Sequence, residues 1–217
     1  MILDLRELSG RYPHQLNPPV PSYGPKPASV IMPFFKNSRG LHNVILTKRN
    51  QKLKNHPGQI SFPGGVWGGE GESLLDTAFR EWEEELGVGV NSLDILGSFG
   101  EFNTFTGYVI VPFVAMYYGD FNFSPNPHEV EELVLLDLDD FYNKPFYELS
   151  HPRLSGKTVY YLELHKDLLW GATAHILVRF LKEFAGFERQ GVPVSPNISE
   201  APFFNPRLPY HSGRKPE

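Results

Sequence analysis

Cysteine is absent from this chain of 217 residues. Its absence excludes disulfide bonds, zinc–thiolate sites and thiol nucleophiles. A chain without cysteine fits a reducing compartment, so we expect a cytoplasmic protein. No stretch approaches the roughly 20 apolar residues that a membrane-spanning helix needs, and residues 1–10 contain no apolar run of signal-peptide length. We therefore expect no membrane partner.

An excess of basic residues is also lacking, because 20 lysines and arginines stand against 25 aspartates and glutamates. The formal net charge is -5 and the pI is about 5.9. Such a protein offers no broad basic surface to duplex nucleic acid, so we expect no nucleic-acid partner. A hydrophobic content of 41% over this length is enough for one well-packed domain.

Proline-rich segments lie towards both ends of the chain, which contains 20 prolines in all. We predict an N-terminal proline-rich arm over residues 1–26, one folded domain over residues 27–190 and a C-terminal proline-rich tail over residues 191–217. The tail lacks hydrophobic periodicity, so we expect an extended arm that packing can partly order. A second subunit, in a homodimer, is one candidate for that packing.

Hydrophobic periodicity predicts two main helices and six strands, a mixture typical of an α/β fold. The first helix begins at Ser73, where Asp76 three residues on completes a variant capping box, and Gly87 ends it. A second helix spans residues 172–185. Four residues form the predicted buried stripe of the first helix: Leu75, Phe79, Trp82 and Leu86. The predicted strands cover residues 29–35, 43–49, 93–99, 108–118, 131–136 and 158–164.

Three glutamates of the first helix share one face. At about 100° per residue, Glu81 and Glu85 lie about 40° apart, and Glu84 lies about 60° to the other side of Glu81. Glu83 falls on the far side, whereas Arg80 sits one turn before Glu84 and can hold it by an ion pair. Clustered carboxylates repel one another unless a hard divalent cation joins them, and Mg²⁺ prefers oxygen ligands of this kind.

The alternative is a solvated surface helix that happens to be rich in glutamate. The residues around the helix argue against it. Arg80 directly precedes Glu81, Gly87 follows at the end of the helix, and the pair Gly64 and Gly65 precedes it. Paired glycines let the backbone approach a phosphate closely.

These residues resemble the Nudix box, G-x5-E-x7-R-E-U-x-E-E-x-G-U, in which U is a bulky apolar residue. The match is complete from Glu72 to Val88, whereas six residues, not five, separate Gly65 from Glu72. The resemblance implies a Nudix hydrolase domain over residues 27–190, built as an α/β/α sandwich with a mixed central sheet and two main helices. It also implies a pyrophosphohydrolase that uses Mg²⁺ or Mn²⁺. Glu81 and Glu85 would be the principal metal ligands, and Glu84 a third or water-mediated one.

The segment upstream of the box is similar to the signature of the coenzyme A pyrophosphatase branch of that family. An arginine, Arg49, is followed by Leu-x-x-His-x-Gly-Gln-Ile-x-Phe-Pro-Gly-Gly over residues 53–65. Residues 106–108, 125–130 and 170–174 also resemble the branch. The resemblance implies a small nucleotide substrate, coenzyme A or a derivative, cleaved to 4'-phosphopantetheine and adenosine 3',5'-bisphosphate. ADP-ribose or a dinucleotide is the alternative substrate, and a non-catalytic Nudix-fold binding module is a further alternative.

The residues predicted to serve this reaction fall into two groups. Arg80 would support the acidic helix, and by position in the resemblance Glu129 is the first candidate for the general base, before Glu84 or Glu132. A local basic cluster that includes Lys48 and Lys54 could meet the phosphates of coenzyme A, unless these are solvated loop charges. The predicted substrate-binding residues are Arg49, Lys52, His56, Gly64 and Gly65.

Overall fold

The structure is a computed structural model, and it describes residues 16–22, 26–104, 106–150, 158–164 and 167–194. Among the helices of these residues, none is long and apolar enough to cross a membrane. The helices are α1 (Leu74–Leu86), α2 (Leu138–Asn143) and α3 (Gly171–Phe184), with a 3-10 turn at Val90–Ser92. The strands are β1 (Lys26–Lys36), β2 (His42–Arg49), β3 (Ile60–Ser61), β4 (Gly64–Val66), β5 (Leu93–Ser98), β6 (Phe102–Asn103), β7 (Tyr108–Tyr117), β8 (Val130–Asp137), β9 (Phe146–Ser150), β10 (Thr158–Glu163), β11 (Leu168–Trp170) and β12 (Val192–Val194).

All six predicted strands are present, as β1, β2, β5, β7, β8 and β10, with ends shifted by at most a few residues. The central sheet has the order β3-β2-β1-β7-β5, with β4 paired to β1, β6 to β7 and β8 to β2. Strands β1 and β7 run parallel while their other neighbours run antiparallel, so the predicted mixed sheet is confirmed.

A second sheet, in the order β11-β10-β9-β12, follows the central one in the chain. Of its four strands only β10 was predicted. Strands β11 and β12 have three residues each, too few to show a two-residue alternation. Strand β12 pairs in parallel with β9, so the first residues of the proline-rich tail, 192–194, belong to this sheet.

The two long helices cover opposite faces of the central sheet. Helix α1 buries Trp82 against strand residues that include Ile45 and Phe113. Helix α3 buries its apolar face on the other side, where the rings of Phe34 and Phe180 stack at 5.1 Å. The predicted three-layer α/β/α arrangement is therefore confirmed, with the short helix α2 as an addition.

Helix α1 begins as predicted. The Ser73 hydroxyl accepts a hydrogen bond from the backbone of Asp76, whose carboxylate accepts one from the Ser73 backbone, and Gly87 ends the helix in the left-handed region. The predicted buried stripe was partly wrong, because Leu75 and Phe79 are only half-buried. The fully buried apolar residues recur every four positions instead, at Leu74, Ala78, Trp82 and Leu86, with Thr77 and Glu85 buried beside them. This rotation turns Glu85 towards the sheet.

Candidate active site

Glu85, in the last turn of α1, is a carboxylate almost enclosed by the sheet, with 2% of its surface exposed. The Thr47 hydroxyl of β2 donates a long hydrogen bond of 3.5 Å to Glu85 Oε2. The backbone N–H of Gly64 also donates to this carboxylate. Arg49 Nη1 lies 3.8 Å from Glu85 Oε1. The Glu85 carboxylate thus has two hydrogen-bond donors and one cation beside it, but almost no contact with solvent.

Two further carboxylates meet Glu85. Oxygen atoms of Glu81, Glu85 and Glu129 lie within 4.8 Å of one another. Glu129 comes from the turn before β8, and this turn is tied to α1 because the Asn126 backbone N–H donates to the Glu85 carbonyl at 3.0 Å. The Asn126 side chain also donates to Glu129 Oε1 at 3.4 Å. The family resemblance pointed to Glu129 as a candidate general base, not as a metal ligand, and Asn126 was not singled out.

The electrostatics of this group favour a cation. Burial raises the pKa of Glu85 to about 8, and the neighbouring Glu81 and Glu129 charges add to the effect, while Arg49 and the Gly64 N–H oppose it. Burial also raises the pKa of Glu81, against the opposing influence of Arg80. Three close carboxylates, one of them fully buried, are the oxygen donor set that a hard divalent cation prefers. The residues therefore fit the predicted metal.

Two glycines of β4 allow close approaches here, Gly64 to strand β1 and Gly65 to helix α1. A Cβ atom on Gly64, which has a φ of +150°, would lie 2.3 Å from the Ser29 carbonyl oxygen. A Cβ atom on Gly65 would lie 2.3 Å from the Glu81 carboxylate. A side chain at Gly65 would therefore displace the Glu81 carboxylate from the acidic group. Glycine is thus required here by the packing of the protein itself, besides its predicted role in letting a phosphate approach the backbone.

Arg80 organises the outer side of the group. Its guanidinium contacts Glu81 at 2.7 Å, Glu72 at 3.0 Å and Glu84 at 3.2 Å. Burial works against the charge of Arg80, but these ion pairs outweigh it and raise its pKa. Glu72 also accepts a hydrogen bond from the Gly68 N–H at 2.7 Å, which closes the loop that carries the extra residue of the box.

Glu84 lies beside Arg80, at the outer side of the acidic group. Its side chain is 51% exposed and pairs with Arg80, and it lies outside the group formed by Glu81, Glu85 and Glu129. The reason is its position on the helix, because Glu84 points to the side of α1 on which Arg80 lies, away from the sheet. The ion pair that we predicted between Arg80 and Glu84 is present. Glu83 is exposed, as its position on the wheel predicted.

The predicted substrate-binding residues differ in how deeply they are buried. The residues of the signature fold back onto Arg49, whose backbone N–H donates to the Gln59 carbonyl and whose carbonyl accepts from the Gly58 N–H. His56 is half-buried, and burial together with the nearby Arg49 charge lowers its pKa. Lys52 is exposed on the same loop.

Comparison with known proteins agrees with this geometry. The sequence model of the NUDIX domain matches residues 25–156, more than half of the chain. The chain belongs to the Nudix family. It is 29% identical over 180 residues to a protein of Photorhabdus laumondii named "Uncharacterized Nudix hydrolase NudL", a match that covers 81% of this chain and 95% of that one. It is 30% identical over 176 residues to the protein of the same name from Pectobacterium atrosepticum, covering 80% and 91%.

Solved Nudix structures are similar to it as well. A NUDIX hydrolase from Nitrosomonas europaea has a TM-score of 0.49 and 18% identity, and the match covers 81% of this chain and 82% of that one. RenU, a Nudix hydrolase from M. smegmatis, has a TM-score of 0.46 and 19% identity, covering 54% and 74%. Membership of the family confirms the predicted enzyme class, a Nudix pyrophosphohydrolase that acts on a nucleoside diphosphate derivative.

Replacing Gly65 with alanine should lower the affinity for a metal ion while having less effect on the stability of the fold. The backbone of Gly65 does not have a positive φ, so the added Cβ is unfavourable only because it meets Glu81. We expect Mn²⁺ affinity, measured by titration without substrate, to fall by roughly tenfold, as when a neighbour of a metal ligand is altered. Gly89→Ala is the matched control, since its Cβ would have only an ordinary contact, and it should bind Mn²⁺ normally. Equal affinity in both variants would contradict the role of Gly65.

The raised pKa of Glu85 should make the metal-free protein less stable as the pH rises. Between the ordinary pKa of 4.5 and the folded value of about 8, the folded protein holds a proton that the unfolded chain releases. This stabilising contribution is complete below the lower value, and it is lost at about 1.4 kcal/mol per pH unit as the pH rises. Urea unfolding in EDTA at several pH values measures it.

The comparison variants are Glu85→Gln and Glu83→Gln. The first should lack this component of the slope, so that its stability relative to the wild type increases towards pH 8. The second alters an exposed glutamate of the same helix and should follow the wild type. If wild type and Glu85→Gln stay parallel across the whole range, Glu85 is not the titrating group.

Proposed function

We propose that this enzyme hydrolyses the diphosphate of coenzyme A or its derivatives in the presence of Mg²⁺ or Mn²⁺. Water attacks one phosphorus atom, the bond from that atom to the bridging oxygen breaks, and the other phosphate leaves. The products are 4'-phosphopantetheine and adenosine 3',5'-bisphosphate. The proposal rests on one observation: the segment that resembles the coenzyme A signature folds around Arg49, directly beside the acidic group.

The acidic group supplies the proposed metal ligands. Glu81, Glu85 and Glu129 would hold the cation, since their oxygens converge on one space. A divalent cation there would neutralise the diphosphate and assist the deprotonation of water. Glu129 reaches the group from outside α1 and is also the proposed general base, because its carboxylate borders the space in which the cation and an attacking water would lie. Glu84, which pairs with Arg80 at 3.2 Å, would support the group from its outer side.

Arg49 is the proposed phosphate-binding residue. Its side chain is only 27% exposed, and its Nη1 is 3.8 Å from Glu85, longer than a hydrogen bond. Within the described part of the chain, Arg49 Nε is buried and has no hydrogen-bond partner. A guanidinium with unused donors matches the fork of two phosphate oxygens. Arg49 can therefore exchange its loose contact with Glu85 for the diphosphate.

The decisive experiment is mass spectrometry of the products after incubation with coenzyme A and either Mg²⁺ or Mn²⁺. We expect 4'-phosphopantetheine and adenosine 3',5'-bisphosphate from the wild type. We expect no turnover from Glu85→Gln, because it removes a metal ligand, and normal turnover from the exposed control Glu83→Gln. Cleavage of ADP-ribose or a dinucleotide under conditions that leave coenzyme A intact would overturn the substrate proposal while retaining the metal centre.

Lys52 provides a test of how the 3'-phosphate is recognised. Its exposed ammonium follows Arg49 on the signature loop, so we propose that it contacts the 3'-phosphate that coenzyme A has and dephospho-coenzyme A lacks. Lys52→Met should lower kcat/KM for coenzyme A by about tenfold, the value of one charged hydrogen bond, and leave dephospho-coenzyme A unaffected. Lys144→Met, at another exposed lysine, should change neither. Equal losses on both substrates, or none, would show that Lys52 does not read this phosphate.

A further inference from the structure

Lys48 is a nearly buried lysine on β2, with 8% of its surface exposed. The sequence placed it in a basic cluster available to substrate phosphates, and the structure contradicts this. Lys48 Nζ lies 2.8 Å from Asp167 and 3.4 Å from Glu131. The hydrogen bond with Asp167 is the main cause that raises the pKa of Lys48, so the ammonium stays charged. Its charge is already balanced inside the protein and is not available to a phosphate.

The ion pairs of Lys48 lie at an irregularity in the central sheet. Lys48 pairs with Glu132 in the ladder between β2 and β8, but the next pair is Arg49 with Val130, so Glu131 is left over as the extra residue of a β-bulge. The carboxylate of that extra residue is one of the two that bind Lys48. Bulges change the direction of neighbouring side chains and are frequent beside active sites.

The residues just beyond the bulge belong to the acidic centre. On β2 the next residue is Arg49, whose guanidinium lies 3.8 Å from Glu85. On the other strand the bulge is preceded by Glu129, whose carboxylate joins Glu81 and Glu85. The two strand ends stay together because the Asn50 N–H donates to the Glu129 carbonyl at 2.8 Å. A shift of the bulge would therefore move Arg49 and Glu129 together.

The second partner of Lys48 comes from the other sheet. Asp167 lies in the turn between β10 and β11, where its backbone exchanges two hydrogen bonds with Leu164. Its side chain is 18% exposed. Lys48 therefore links the bulge of the central sheet, through Glu131, to Asp167 of the second sheet.

We propose that Lys48 is a positioning residue: through its ion pairs with Glu131 and Asp167 it holds the β-bulge that aims Arg49 and Glu129 at Glu85. Lys48 does not touch the substrate in this role. The inference rests on the metal-dependent function proposed above. Metal binding measured without any substrate tests it separately from the choice of coenzyme A.

The test is Mn²⁺ titration of the substrate-free protein with Lys48 altered. Charge alone predicts that Lys48→Met binds Mn²⁺ more tightly, because a positive charge near an acidic centre has been removed. Positioning predicts the opposite sign, a dissociation constant raised by roughly tenfold, since Glu129 is no longer held in place. Lys48→Arg keeps the charge and both partners, and should restore binding to near the wild-type value. Lys48→Gln, which retains hydrogen bonding, provides a second uncharged variant if the methionine variant does not fold.

Two controls separate positioning from general stability. Lys144→Met removes an exposed lysine that pairs with Asp140, and it should leave Mn²⁺ affinity unchanged. Thermal unfolding of each variant reports the loss of stability. In the double variant Lys48→Met/Glu131→Gln, the second change should add little, because both members act as one unit.

The outcomes distinguish the two proposals. If the wild type does not bind Mn²⁺, the metal centre itself is wrong. If the wild type binds but the uncharged Lys48 variants bind equally or more tightly, the positioning role is wrong while the centre stands. A lower melting temperature with unchanged Mn²⁺ affinity would likewise assign Lys48 a structural role alone.

Discussion

The burial of one carboxylate, that of Glu85, is the constraint on which the rest of the site depends. A carboxylate without water is unfavourable unless donors or charges replace the water. The fold supplies a hydroxyl from Thr47, an N–H from Gly64 and a guanidinium from Arg49, but it also places two more carboxylates beside it. The net effect is a raised pKa of Glu85, which means that the charged form of this carboxylate is unfavourable in the metal-free protein. A proton on Glu85 offsets this repulsion at lower pH, and a bound cation would offset it once that proton is lost.

That constraint explains why the neighbouring residues are small or charged. Gly65 leaves the space that the Glu81 carboxylate fills, and any side chain there would compete with it. Arg80 draws Glu72, Glu81 and Glu84 to one side of the helix and relieves part of the repulsion among them. Glu84 is half exposed and pairs with Arg80, outside the three carboxylates that converge.

The extent to which sequence predicted this site follows from the range of the interactions. Glu81, Glu84 and Glu85 share one helix, so a wheel could place them on one face and separate Glu83. The spacing on the helix also predicted the ion pair between Arg80 and Glu84. It could not show that Glu129 joins Glu81 and Glu85, because Glu129 reaches them from the turn before β8. The strands of the central sheet are long and periodic and were predicted, whereas β11 and β12 are too short to carry a period.

Lys48 and Arg49 show the same limit in two adjacent residues. In the sequence they are neighbouring cations at the end of a predicted strand. Arg49 was the predicted substrate-binding residue, and Lys48 belonged to a basic cluster that could meet phosphates or be solvated. Side chains alternate between the faces of a sheet, so Arg49 turns towards α1 and Glu85 while Lys48 turns to the other face. There its partners, Glu131 and Asp167, are set by a bulge and by a turn of the second sheet, neither of which a local pattern reveals. The proposed roles differ accordingly: Arg49 would exchange a weak contact for substrate, while Lys48 would hold the site in shape.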